Sequence, residues 1–547
     1  MDRVFRMAGL AALAGVWLAA VKPSLAQTQD CEAPVATPAG LVRGAADPDT
    51  ATCSWKGVPF AAPPIGELRW KAPQPAPAWS GVREAHDYGN MCLQALINNF
   101  ANGNGPLRYS EDCLYLNVWR PQKPGPFPVM VWIHGGGYTS GAGGAPAYAG
   151  DRLASAGEVV VVTFNYRLNV FGFLAHEKLL QEDPHGSTGN YGSLDQVAAL
   201  QWVHDHIANF GGDPQRVTIF GESAGGWSVC TLLATPLAQG LFQGAILESG
   251  GCEASHTLAR GFADGRAAAR KLGCAEDDLA CMRSRSAGQV LFKAGLTGVT
   301  DYPFMPHEDG YLLNGTPLSM IQAGRFNNVP FIAGSNRDEV SKLVALARPF
   351  SYWIGPDQYE PTVHHWVEIE DAAPLLELYP LSQYQKPRYA YAQMFSDRAL
   401  VCPTYAGMAA VAQQQPQTYY YRFDYDGFRW GKLLGAFHSM EVPLVFNAMD
   451  RAPYSILYDQ KPKQIKQAQA LSRIIQGYWI NFAKTGDPNG PGLPVWPGFL
   501  PAQQMQVLNT AVSTAPAKME ARARFWADYN RSHGSLFDTA LKKLKKH

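Results

Sequence analysis

The sequence shows no excess of charge of either sign: Lys+Arg and Asp+Glu both number 46 in 547 residues. That balance gives no support to gripping a nucleic acid or steering a strongly charged partner. No CxxC pair and no HExxH occurs, and His204-Asp205-His206 would put its imidazoles on different helix faces, so no metal is expected. No Walker-type phosphate loop is present, so the glycine-rich stretches are not read as nucleotide sites and no cofactor is expected. Repeats, low-complexity tracts and flexible linkers are also missing. Despite the length, residues 27–547 are therefore read as one domain with insertions. Charged residues make up only 17% against 46% hydrophobic, enough for a large core.

A membrane-spanning run is lacking as well. Met7–Val21 is apolar, but its 15 residues are short for a bilayer. With Arg3 and Arg6 before it and Ser24-Leu25-Ala26 after it, residues 1–26 read as a signal peptide cleaved near Ala26. The mature chain would be exported, to the periplasm or beyond, without stable membrane insertion. Nine cysteines in an exported chain suggest disulfides. Cys92 and Cys113 flank a Gly/Asn-rich loop, Cys274 and Cys281 a short acidic one, and Cys31 and Cys53 could pair near the N-terminus. Cys230 lies on an apolar helical stretch and reads as a buried thiol. Cys252 and Cys402 stay unassigned. Asn314-Gly315-Thr316 and Asn530-Arg531-Ser532 are glycosylation sequons, meaningful only in a glycosylating host. The basic segment 541–546 reads as a solvated tail.

The stretch with most chemical content is Val217-Thr218-Ile219-Phe220-Gly221-Glu222-Ser223-Ala224-Gly225-Gly226. A β-prone run enters Gly-x-Ser-x-Gly and helix-compatible residues follow, the strand–turn–helix context of a nucleophile elbow. A Cβ at Gly221 or Gly225 would collide with neighbouring backbone, and the strained turn would hold the Ser223 hydroxyl at the sheet edge.

Other apolar runs surround it. Leu114–Trp119, Val129–His134, Val159–Phe164, Ala245–Leu247, Val329–Ala333 and Thr418–Tyr425 read as strands, with helical segments between them. Ser193 looks like the N-cap of a helix reaching Asn209, with Val197, Leu200, Val203 and Ile207 on one face. The alternation predicts an α/β fold: a large, mostly parallel twisted sheet with helices on both faces. A serine nucleophile needs a base and an acid. The loop from Ser335 to Glu339 leaves a strand's carboxyl edge and offers Asp338 and Glu339 as acids. His438, set between apolar segments, is the best-placed histidine downstream. Gly135-Gly136-Gly137 after a strand, and Ala224 beside the serine, offer backbone N–H groups for an oxyanion.

Together these stretches resemble the type-B carboxylesterase/cholinesterase family of α/β-hydrolases. Glu111-Asp112-Cys113-Leu114-Tyr115-Leu116-Asn117-Val118 and Phe220–Gly226 match its two signatures. Trp132–Gly137, Asn165-Tyr166-Arg167-Leu168 and Phe210-Gly211-Gly212-Asp213-Pro214 are further family-like runs. The resemblance implies an α/β-hydrolase fold and a serine hydrolase cleaving carboxylic esters, with Ser223 as nucleophile, Glu339 as acid and His438 as base. It implies an oxyanion hole of Gly136, Gly137 and Ala224, disulfides Cys92–Cys113 and Cys274–Cys281, and an ion pair of Arg69 with Glu111. One departure is that the Cys92–Cys113 loop holds no tryptophan, the residue that choline-specific members use against a quaternary ammonium.

The expected partner is a small-molecule ester; nothing indicates oligomeric state. Tyr138, Trp227, Phe350, Phe395 and Phe437 are candidates for an apolar substrate pocket, with Phe304 and Trp353 as further aromatics that could line it. The alternatives are a lipase or an esterase specialised for a natural product, xenobiotic or polyester, and, in a different class, a catalytically silent binding protein of the same fold.

Overall fold

Apolar runs that bury both faces of a strand have to stack into the middle of a layered fold, and they do so here. The structure, a computed structural model, describes residues 30–95, 108–295, 304–340, 355–367, 369–458 and 461–533. The expected signal peptide, Phe350, Trp353 and the basic tail lie outside the described residues. Eleven strands form the main sheet. In chain order they are β1 (Ala45–Asp47), β2 (Thr52–Pro59), β3 (Tyr115–Pro121), β4 (Phe127–Ile133), β5 (Val160–Phe164), β6 (Gly212–Glu222), β7 (Gly244–Glu248), β8 (Phe331–Asn336), β9 (Thr418–Phe423), β10 (Gln504–Leu508) and β11 (Ser513–Pro516).

Their spatial order is β11-β10-β9-β8-β7-β6-β4-β5-β3-β2-β1. The strands from β5 to β10 pair in parallel, and the sheet turns antiparallel at both edges. Strand β4 lies between β5 and β6, so the winding reverses between β4 and β6. In such sheets a crevice opens at the carboxyl ends of the strands on either side of that reversal. Those ends are Ile133 and Glu222, brought level by the pairing of Phe220 with Trp132 and Gly221 with Ile133.

Period-two alternation divides the core. Val129, Val131 and Ile133 point into one apolar layer with Val217 and Ile219. Met130 and Trp132 point into the other with Phe220, Ile246 and Ile332. Five helices bear on the site: α1 (Tyr191–His206), α2 (Ala224–Ala234), α3 (Cys402–Ala412), α4 (Pro462–Thr485) and α5 (Glu520–His533). Helix α4 buries Leu471, Ile475, Tyr478, Trp479 and Phe482 in the second layer.

The helix start expected at Ser193 is corrected: α1 begins at Tyr191, after Asn190. Asn190 is fixed there by a distant partner, its side chain donating to His307 O (3.0 Å) and accepting from His307 N (2.7 Å). Likewise β8 extends to Asn336, so Ser335 and Asn336 belong to the strand and not to the loop.

Four disulfides form: Cys31–Cys53, Cys92–Cys113, Cys230–Cys252 and Cys274–Cys281. The reading of Cys230 as a free thiol is therefore corrected. Helix α2 packs so closely on the segment after β7 that a Cβ at Gly250 would fall 2.7 Å from Gly226 C, and this juxtaposition brings Cys252 to Cys230. Cys402 is the buried free cysteine. Arg69 grips Glu111 with two hydrogen bonds of 2.6 Å and also donates to Arg283 O and Arg285 O, tying the N-terminal segment to the loops around Cys281.

Candidate active site

Ser223 sits between β6 and α2 with φ 59° and ψ −122°. A positive φ on a residue with a Cβ costs of order 1–3 kcal/mol and persists only where the surroundings enforce it. Here Ser223 N donates to Glu248 O (2.9 Å) and Trp227 N to Ser223 O (3.0 Å). The glycines are needed sterically: a Cβ on Gly225 would lie 2.0 Å from Ile133 O, and one on Gly221 2.7 Å from both Ile133 O and Gly225 O. Glu222 and Ala224 are buried, while Ser223 is partly open.

The glycine loop after β4 comes against this turn. A Cβ on Gly135 would stand 2.6 Å from Glu222 O and 3.0 Å from Ser223 Cβ. Gly136 and Gly137 have φ 108° and 61°. The Gly136 carbonyl is turned away, accepting from the amides of Thr139 (3.0 Å) and Ser140 (3.1 Å). His134 underpins the loop. Burial pushes its imidazole down to about 4, so it is neutral, and it stacks on Tyr166. Its Nδ1 donates to Gly135 O at 2.9 Å.

His438 follows β9 and donates through Nδ1 to Glu339 Oε2 at 2.7 Å. The other oxygen of Glu339 accepts from Asn336 N (2.7 Å), and His438 N donates to Glu339 O (3.2 Å). The two loop carboxylates make different contacts, and His438 meets Glu339. Asp338 instead pairs with Arg337 (2.8 Å) and accepts from Ala436 N (2.9 Å), which holds the loop.

Sequence reasoning missed the carboxylates around the imidazole. His438 Nε2 lies 3.1 Å from Glu222 Oε1, which also accepts from Ser439 Oγ at 2.6 Å. Glu441 accepts from Asn336 Nδ2 (2.5 Å) and Ser249 Oγ (3.2 Å). Glu248 accepts from Trp479 Nε1 at 2.8 Å. Burial opposes a charge on His438, but the negative charge of Glu222, then the hydrogen bond and charge of Glu339, outweigh it and lift the pKa to about 10. Burial likewise raises Glu222 and, more strongly, Glu441, where the charge of Glu222 adds to the effect. Glu248 is pushed to about 8 by burial, against the Trp479 hydrogen bond. The visible signal was an acid closing a buried strand end: Glu222 after Ile219-Phe220-Gly221, and Glu248 after Ala245-Ile246-Leu247.

The expected pocket aromatics that lie among the described residues meet different neighbours. Tyr138 is fully enclosed, packed on Phe173 and Trp227, with its hydroxyl accepting from Ser228 Oγ (3.2 Å), so it braces the glycine loop from behind. Trp227 borders a cavity of about 30 Å³ with Gly251, Glu253, Met305 and Arg398. Phe395 stacks edge-on against Tyr391 and lines a cavity of about 20 Å³ with Val363, Leu375 and Trp526. Phe437, beside the histidine, packs edge-on against Phe428. Phe304 is buried in the first core layer.

A profile of the Carboxylesterase family matches residues 32–526. The chain belongs to the carboxylesterase family. A Bacillus subtilis (strain 168) para-nitrobenzyl esterase is 37% identical over 476 residues, covering 85% of this chain and 92% of that protein. A Sus scrofa liver carboxylesterase is 36% identical, covering 86% and 88%. A Sphingopyxis macrogoltabida fumonisin B1 esterase is 34% identical, covering 91% of each. Among solved structures, a thermophilic PNB esterase superposes with a TM-score of 0.78 at 33% identity, covering 90% of this chain and 100% of that one. The sheet described above is thus an α/β-hydrolase fold, and the chemistry of this carboxylesterase-family chain is carboxylic-ester hydrolysis by a serine hydrolase.

Proposed function

We propose that hydrolysis proceeds through an acyl-enzyme on Ser223. His438 takes the hydroxyl proton as Ser223 attacks the ester carbonyl, then protonates the departing alcohol, and finally activates water for deacylation. Glu339 holds the imidazole through Nδ1 and stabilises its charged form. The N–H groups of Gly136, Gly137 and Ala224 receive the oxyanion, a donor set in which each member is worth roughly 3 kcal/mol in the transition state. The observation that carries this reading is the 2.7 Å His438–Glu339 bond, with His438 Nε2 3.1 Å from the carboxylate of Glu222, the residue before a serine held at φ 59°. The glycine loop packed on Ser223 supports it.

The substrate is a small-molecule ester. Four disulfides fit an oxidising compartment, and no helix among the described residues is long and apolar enough to cross a membrane. We read the chain as exported, with cleavage near Ala26. Hydrolysis of p-nitrophenyl esters from acetate to palmitate by the mature protein and by Ser223→Ala tests the mechanism. Serine-dependent turnover is expected, greatest at short or medium acyl chains. Equal turnover by the Ser223→Ala protein would overturn the assignment.

A further inference from the structure

Exposed apolar side chains are not spread evenly over this protein. Of ten large ones among the described residues, four fall within one surface region: Trp430, Leu433, Ile456 and Ile465. Trp430, Leu433 and Ile456 are 56%, 49% and 58% exposed, an unusual cost for side chains of this size. The chain sets them together. Arg429 N donates to Leu457 O at 2.7 Å, which joins the Trp430 turn to the short helix bearing Ile456. The Tyr425 hydroxyl lies 3.1 Å from Gly427 O and 3.5 Å from Gln464 O, which joins both to the start of α4.

The rim of this patch is cationic. Lys461, Lys463 and Lys466 are exposed, and α4 contains no Asp or Glu in its whole length. The Arg429 guanidinium lies 5.5 Å from the Trp430 ring. Among the described residues, Asp426 is already neutralised by Arg337 (3.2 Å) and Lys432 (2.9 Å), and Asp450 by Arg152 (2.5 Å). A first helical turn without acid and with lysines is the reverse of what helix stability favours, so stability does not account for the rim. The start of α4 also lies at the sheet edge that bears Ser223. Helix α4 precedes β10, which is parallel to β9, so its N-terminus lies at the carboxyl edge of the sheet.

We propose that this face docks the protein on a bilayer carrying acidic headgroups, with Trp430, Leu433 and Ile456 entering the interface and the lysines meeting lipid phosphates. An exposed tryptophan among aliphatics, beside exposed lysines that form no ion pair among the described residues, has the chemistry of an interfacial anchor. Docking there would turn the sheet edge bearing Ser223 toward the lipid surface. The inference does not depend on the hydrolytic mechanism.

Co-sedimentation of the mature protein with phosphatidylcholine vesicles, with and without phosphatidylglycerol, tests it. Binding is expected to be about tenfold stronger or more on the acidic vesicles and to fall with added salt. Trp430→Asp with Leu433→Asp should abolish it. Lys463→Glu with Lys466→Glu should remove only the preference for acidic lipid. Val495→Asp, at an exposed apolar residue remote in sequence, should change nothing. Turnover of p-nitrophenyl acetate, unchanged in all three variants, reports that they are folded. No binding to acidic vesicles, or binding by the Trp430/Leu433 variant equal to the parent's, would overturn the proposal. A dimer in sedimentation velocity that this variant converts to monomer would also overturn it, by making a second copy the occupant.

Discussion

The two halves of the candidate site are built by different physics. The half around Ser223 is backbone against backbone. Three glycine-lined segments approach so closely that single Cβ atoms at Gly135, Gly221 or Gly225 would strike carbonyl oxygens. The half around His438 is side chain against side chain, with Glu222, Glu339 and Glu441 drawn from three separate parts of the chain and buried. Steric construction fixes position; electrostatic construction fixes protonation. Substitutions in the first half should therefore change how much active protein exists or whether it reacts at all, and substitutions in the second half should change the pH at which it reacts.

The largest effect should come from Ser223→Ala. Losing the nucleophile is expected to lower kcat by roughly 10⁶, the scale for a serine hydrolase whose residues act as a unit, with the disulfide-bonded fold intact by circular dichroism. Next is Glu339→Gln. The amide keeps the shape but cannot stabilise the imidazolium, and kcat for p-nitrophenyl butyrate should fall by roughly 10³–10⁴. A drop of that size from Asp338→Asn instead would reverse the roles read from the hydrogen bonds. Gly225→Ala tests the other half. With Ile133 O only 2.0 Å from the added methyl, strand β4 or the start of α2 must shift. A loss of about 3 kcal/mol of stability is expected in denaturant unfolding. A variant as stable as the parent would show that the elbow is less tightly packed than its geometry requires.

Legibility in the sequence divides along the same line. The strand, the glycines and the sharp turn at Ser223 are contiguous, and steric rules act on neighbours, so this half could be read directly. The sheet could be read because strands covered on both faces leave continuous apolar runs such as Val129–Ile133. What could not be read rests on contacts across the chain. Cys230 paired with Cys252 because Gly226 packs on Gly250, and no spacing rule encodes that. The start of α1 moved to Tyr191 because Asn190 is held by His307. Glu339 and His438 were chosen by motif resemblance, since residue type alone left Asp338 open. The involvement of Glu222, Glu248 and Glu441 had no local signature beyond an acid at the end of an apolar strand. Tyr138 follows the glycine loop and so suggested a pocket wall, yet its φ of 56° turns it into the core.

The smallest predicted effect bears most directly on the contrast between the halves. A general base must be unprotonated, so activity is lost as pH falls through the base's own pKa. Because the carboxylates around His438 lift that pKa to about 10, the acid limb of kcat/KM should lie well above the ordinary histidine value of about 6.5. The negative charge of Glu222 is the largest single contribution to the lift. Replacing it with Gln removes a negative charge 3.1 Å from Nε2 while preserving an acceptor for Ser439. The protonated imidazole loses stabilisation, its pKa drops, and the acid limb should move toward lower pH by about one unit or more, the scale expected for a neighbouring opposite charge. Since the charges of Glu222 and Glu441 both act on His438, and Glu222 acts on Glu441, the limb reports the cluster and not one residue, and Glu441→Gln should move it in the same direction by less. A pH–rate profile unmoved by Glu222→Gln would mean that Glu222 is already protonated in the working enzyme and that Glu339 alone sets the basicity of His438.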